Sequence, residues 1–248
     1  MMIKRRLGVS ENSPSAYSKR NKSIRSKMFL RQIYLEWSGL IVDACSDGGV
    51  SIEVGATNTV SREVFGGMTC WGTDVVALEG VSLVTDACFM AFRDGSLTNV
   101  IAIDTFHHLP DAGKFLKESE RVLCGGGRLV MVEPWNNRWA RFIFQKLHPE
   151  PFDERAGWTV SGDGPMTRAN GALPWIVFER DQALFELRFP ELRVLSIRPV
   201  MPFAFLLSGG SRSRLALPGR CYRFVRRFER WFESRGMGMS ALIVVEKR

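Results

Sequence analysis

Histidine is scarce in this chain, with three among 248 residues, and long apolar runs are absent. No window approaches the roughly eighteen unbroken apolar residues of a membrane-spanning helix, so none is expected. The N-terminus carries no apolar signal core, which points to a cytoplasmic protein. The five cysteines (Cys45, Cys70, Cys88, Cys124 and Cys221) are odd in number, scattered and without a C-x-x-C pair. That usage argues for reduced, mostly buried thiols rather than a disulfide frame or a zinc site. What is present is enough apolar residue, 45% of the chain, to bury one substantial core with or without a cap.

Excess positive charge is also missing from most of the chain. The formal net charge is +8, but residues 1–27 hold eight basic residues against Glu11 alone, which leaves +1 for everything after them. A nearly neutral body argues against a nucleic-acid partner. Rich in Ser and Asn and without apolar periodicity, residues 1–27 are expected to form a disordered, solvated extension. Residues 28–248 are read as a single domain.

Within that domain, Phe29, Leu30, Ile33, Tyr34, Trp37, Leu40, Ile41 and Ala44 recur at helical spacing, as in an amphipathic helix. The stretch VSIEVGATNTVSREV at 50–64 reads as a buried strand, a turn opened by Gly55, and a helix starting at Ser61. Such a turn aims free backbone N–H groups at whatever lies above the strand. Together with Glu53 on the strand and Asp74 nineteen residues after Gly55, it makes a nucleoside-binding hypothesis. Further strands are expected at 69–74, 81–85, 99–105, 127–133, 192–197 and 241–246, with helices at 111–122, 135–147 and 221–232. Alternation of this kind implies an α/β, doubly wound sheet that binds ligands outside the carboxyl ends of its strands.

Residues 134–190 are too long for one crossover. With residues 200–238 they are read as cap insertions that build an acceptor site. In the helix at 221–232, Phe224, Phe228, Trp231 and Phe232 share a face while Arg223, Arg226, Arg227 and Arg230 line the rest. The expectation is a half-buried aromatic face under a solvated basic one, with peripheral membrane contact as the alternative.

Four places carry a family resemblance: EVGATNT at 53–59, Asp74, DACFMAFRDGS at 86–96 and IDTFHHLPD at 103–111. From about Met28 to its C-terminus the chain resembles class I S-adenosylmethionine-dependent methyltransferases of the type 11-like kind. VEPWNNRWARFIFQKLHPEPFD, GALPWIVFERD and MGMSALIVVEK resemble a narrower bacterial group associated with polysaccharide and glycolipid assembly. The resemblance implies a Rossmann-like seven-stranded sheet whose last strand is antiparallel and inserted beside the fifth. It also implies S-adenosyl-L-methionine as cofactor, a small-molecule or glycan acceptor, and no metal. No cluster of metal ligands is expected.

Carried over residue by residue, the resemblance assigns Gly55, with Ala56 and Thr57, to the turn beside the methionine portion of the cofactor. Glu53 would orient that turn or receive the cofactor's amino group. Asp74 would accept hydrogen bonds from both ribose hydroxyls, and Asp86 from the adenine amino group, with the Ala87 backbone nearby. Asp104 and Thr105 would lie under the sulfonium. Thr57 and Thr59 stand where the family usually has glycines, so a catalytically inactive binding or scaffold protein is the alternative function. An NAD-dependent oxidoreductase is disfavoured, because GxGxxG is absent.

Methyl transfer from a sulfonium is an in-line displacement, so a protein supplies positioning and, for a hydroxyl acceptor, removal of a proton. Histidine suits that task at neutral pH. His107 and His108 follow the fourth strand and His148 falls in the first insertion. His108 is the first candidate for the base and His148 the second, while His107 is expected to turn toward packing.

Overall fold

A computed structural model describes residues 14–56, 61–78, 80–162, 164–165, 167–210 and 217–248. The chain runs through α1 (Pro14–Ser26), α2 (Met28–Ala44), β1 (Ser51–Val54), α3 (Ser61–Val64), β2 (Cys70–Asp74), β3 (Leu83–Val84) and β4 (Leu97–Ile103). It continues through α4 (Ala112–Val122), β5 (Leu123–Pro134), α5 (Arg138–Lys146), α6 (Leu173–Trp175), α7 (Gln182–Arg188), β6 (Leu192–Val200), α8 (Ala204–Leu207), α9 (Tyr222–Glu233) and β7 (Ser240–Lys247). The strands form one seven-stranded sheet in the order β3-β2-β1-β4-β5-β7-β6. The pairs from β3 to β5 are parallel, whereas β7 runs antiparallel to both β5 and β6. This is the Rossmann-like arrangement that the resemblance implied, with the last strand inserted beside the fifth.

Strand periodicity sorts side chains to the two faces. Val100 and Ala102 of β4 and Leu129 and Met131 of β5 join one core, under α4, α5 and residues 172–189. Ile101, Ile103, Val130 and Val132 join the other, under α2, where Phe29, Ile33, Trp37 and Ile41 lie fully buried along one helical face. Local chemistry sets where helices begin. Asp111 accepts from the Lys114 N–H at the start of α4, and Asn137 accepts from the Trp139 and Ala140 N–H groups at the start of α5.

Two expectations are corrected. Residues 14–26, expected to be disordered, form α1, which is docked through Tyr17 and Ile24, both buried. Those residues are seven apart and share a helical face. Its basic character is used as well, since Arg20 pairs with Asp104 at 2.9 Å. The second correction concerns α9, which turns its aromatic face outward. Phe224, Phe228 and Trp231 are exposed, while Tyr222, Arg226 and Glu229 are buried. The cause is an ion network: Arg226 hydrogen-bonds Glu36 of α2, Glu229 and Glu233, and the Tyr222 hydroxyl donates to Glu36. Burial would raise the Glu36 carboxyl, but hydrogen bonds from Arg226 and Tyr222 outweigh it and hold it below the usual carboxylate range. Helix spacing alone does not reveal that a polar face has partners waiting on α2.

Candidate active site

The parallel half of the sheet opens at its carboxyl ends into a cleft, where an open α/β sheet presents ligands. One wall comes from the strand ends and the turns after them: Gly55, Asp74, Asp86, Ala87, Asp104 and Thr105. The other comes from α1 and the first insertion, through Tyr17, Arg20, Pro165 and Arg168, with His108 between the two.

Gly55 is required by its geometry. Its φ is +68°, and a Cβ there would lie 2.5 Å from the Thr105 side chain, so neither backbone nor space admits another residue. At the end of β2, the half-buried cleft rim leaves Asp74 only 8% exposed. Burial raises the Asp74 carboxyl, and N–H groups of Val75 and Val76 partly oppose the rise. Across from it, burial and then the Asp74 charge push the Tyr17 hydroxyl up to about 12. Asp86 closes its own turn by accepting from the Cys88 N–H at 2.8 Å.

Asp104 is the strained member of the wall. It directly follows β4 with φ +53°, a left-handed conformation that costs a non-glycine residue free energy. Glu133, buried on β5, holds the segment that follows. Its carboxylate accepts from the N–H groups of Thr105 (2.7 Å), Phe106 (2.8 Å) and His107 (3.4 Å), and from the His107 ring at Nδ1 (2.7 Å).

Around this anchor the structure gathers groups that lie far apart in the chain. His107 is fully buried; its Nε2 lies 3.6 Å from Glu150 and 4.0 Å from Asp104 and makes no hydrogen bond among the described residues. His108 Nδ1 meets the Arg168 carbonyl at 2.5 Å. His148 Nδ1 accepts from the Glu150 N–H and lies 4.0 Å from the Glu150 carboxylate. Burial would lower His107, but Glu133 and Glu150 overcome it and raise the ring to about 10. Burial and then the neighbouring His107 lower His108 to about 4. Glu150 lies well below the usual carboxylate range, because the three histidines outweigh its burial.

The sequence-predicted residues therefore divide. Gly55, Asp74, Asp86, Ala87, Asp104, Thr105 and His108 line the cleft. Glu53 and Ala56 are buried behind it: Glu53 accepts from the Ser61 hydroxyl at 2.8 Å, and the Ala56 N–H donates to Thr73. His107 is buried behind His108, and His148 sits beside Glu150 at the edge. Thr57 and Thr59 lie outside the described residues. Sequence reasoning missed Tyr17, Arg20, Glu150 and Arg168. Of these only Glu150, in the HPEPFD motif, stood near a residue already singled out. No cluster of metal ligands was expected, yet one donor atom from each of His107, His108 and Glu150 lies within 4.8 Å of the others, a geometry that could hold an ion.

Comparison with known proteins points the same way. Residues 64–131 match a family model described as a methyltransferase domain. A 2-methyl-6-phytyl-1,4-hydroquinone methyltransferase of Synechocystis sp. is 32% identical over 110 residues, covering 37% of this chain and 34% of that protein. A chloroplastic tocopherol O-methyltransferase of Arabidopsis thaliana is 40% identical over 55 residues, covering 22% and 16%. The chain thus spans about a third or less of the curated relatives it matches. Among solved structures, geranyl diphosphate C-methyltransferase of Streptomyces coelicolor superposes with a TM-score of 0.57 at 14% identity, over 98% of this chain and 87% of that one. A Thermotoga maritima S-adenosylmethionine-dependent methyltransferase gives 0.54 at 16% identity, over 95% and 100%. The fold is that of the class I S-adenosylmethionine-dependent methyltransferases.

Proposed function

We propose that this protein transfers a methyl group from S-adenosyl-L-methionine to a hydroxyl of a small-molecule or glycolipid acceptor. The observation that carries this reading is the strand-end wall: a glycine turn at Gly55, a carboxylate at the end of β2 and another after β3 all line one cleft. Asp74 offers two acceptor oxygens for vicinal ribose hydroxyls. Asp86 is set to receive an amino group, and Gly55 gives the backbone the close approach that the amino-acid portion needs. The methyl group would then point toward Asp104, Thr105 and His108.

The acceptor enters from the α1 and insertion side, and its proton leaves at the wall formed by His108 with His107 and Glu150 behind it. Two curated relatives are named for a hydroquinone and a tocopherol, hydroxyl-bearing molecules with apolar tails. The exposed Phe224, Phe228 and Trp231 of α9 lie on a helix rich in arginine, as suits contact with an anionic membrane surface where such acceptors dissolve. Sedimentation with phosphatidylglycerol vesicles, and its loss in Phe228→Asp with Trp231→Asp, tests that contact. No described helix is long and apolar enough to cross a membrane.

The central test is titration calorimetry with S-adenosylmethionine and its demethylated product. Binding of both is expected, and no binding by the wild type would favour the scaffold role. Once an acceptor is found in a panel of hydroquinones, glycolipids and sugars, Glu150→Gln and His108→Ala should lower turnover by about 10²–10⁴-fold with cofactor affinity nearly unchanged.

A further inference from the structure

We propose that His107, His108 and Glu150 bind a divalent transition-metal cation, with Glu133 and the Arg168 carbonyl fixing the two imidazoles from behind. The donor set comes first. One donor atom of each residue lies within 4.8 Å of the others, and His107 Nε2 and Glu150 Oε2 are already 3.6 Å apart. Two ligands on a common ion at about 2.0–2.2 Å from each donor sit at nearly that separation. Glu150 is partly exposed, so its carboxylate has room to close the remaining distance.

The outer contacts match what metal-bound histidines use. His107 Nδ1 is tied to a buried carboxylate at 2.7 Å and His108 Nδ1 to a backbone carbonyl at 2.5 Å. With the N–H kept at Nδ1, an ion takes the place of any proton at Nε2 and releases it to solvent, and the carboxylate behind His107 raises the ring's basicity as a ligand. The competing arrangement is an imidazolium of His107 bridging Glu133 and Glu150. Such a charge-assisted bridge draws to about 2.7–2.9 Å on each side. Only the Glu133 side does so, while the fully buried Nε2 is left without a hydrogen bond among the described residues. Three carboxylates lie around the His107 ring, Glu133 at Nδ1 and Glu150 and Asp104 at Nε2, with Arg20 paired to Asp104.

Two nitrogens and one carboxylate oxygen suit Zn²⁺, Mn²⁺, Fe²⁺ or Co²⁺ rather than Ca²⁺ or Mg²⁺, which prefer all-oxygen shells. Three protein ligands leave positions open, and His108 places the site on the cleft. A hydroxyl bound there would lose its proton more readily. That last role rests on the methyl-transfer reading; the binding of the ion does not.

The test uses the full chain, stripped with chelator and titrated with CoCl₂ while visible absorption and calorimetry are followed. One equivalent should bind with ligand-field bands and no thiolate charge-transfer band. Glu150→Gln and His108→Ala, each checked for a native melt, should weaken binding more than about 100-fold, and Glu133→Gln about 10–100-fold. No uptake, uptake with a thiolate band, or uptake indifferent to Glu150→Gln and His108→Ala would overturn the site. Titration of the same samples with the demethylated cofactor reports separately on methyl transfer, so loss of one property is not read as loss of the other.

Discussion

The two walls of the cleft are held in place by different forces. Every member of the strand-end wall sits within a few residues of a parallel strand, so the ladder registers of β1 with β2 and β4 set its geometry, and Glu133 clamps the segment after β4 with four contacts. In the opposite wall α1 hangs on side chains, through the Arg20–Asp104 pair and the burial of Tyr17 and Ile24, whereas the insertion is tied both by the His108 contact to the Arg168 carbonyl and by backbone bonds such as the Asn170 N–H to the His107 carbonyl. A wall fixed by backbone pairing stays rigid, whereas a helix held by a few side-chain contacts can undock more readily.

The largest effect should come from breaking the clamp. Glu133→Ala leaves several buried donors unpaired and is expected to lower the unfolding free energy by about 3–5 kcal/mol in urea titration; a loss under about 1 kcal/mol would show that the strand-end wall is not anchored there. Asp74→Ala should leave that stability nearly unchanged but weaken cofactor binding by about 1–3 kcal/mol by calorimetry, and equal binding would remove Asp74 from the site. On the opposite wall, Ile24→Ala would cost about 2–5 kcal/mol in a fixed core. Here it should cost less than about 2 kcal/mol, because α1 can undock while the sheet stays folded. Arg20→Ala is the smallest, at about 0.5–1 kcal/mol for a partly exposed pair. Hydrogen exchange should show faster exchange in α1 with β4 and β5 unchanged. Loss of protection in β4 as well would erase the distinction between the walls.

The strand-end wall was legible because its signals are local. Gly55 follows a run of buried β residues, Asp74 and Asp86 end short strands, and each sits where a parallel sheet must present it. His108 was legible for the same reason. Tyr17 and Arg20 were not, since a helix of 13 residues with a basic, polar composition is marginal by itself and reads as solvated until Ile24 packs into the core with α2. The orientation of α9 was misread because aromatic residues ordinarily turn inward, whereas here Arg226 finds Glu36, Glu229 and Glu233.

Sequence alone determined the parallel strands, the glycine turn and the strand-end acids, since strand periodicity and turn geometry act over a few residues, while the antiparallel last strand was read from the family resemblance. Tertiary structure decided the opposite wall. Glu150 is 43 residues from His107, and Asp104 is 84 from Arg20. Only packing of the insertion and α1 over the sheet brings these charges within hydrogen-bonding and ligand distance, because electrostatic partnership depends on separation in space.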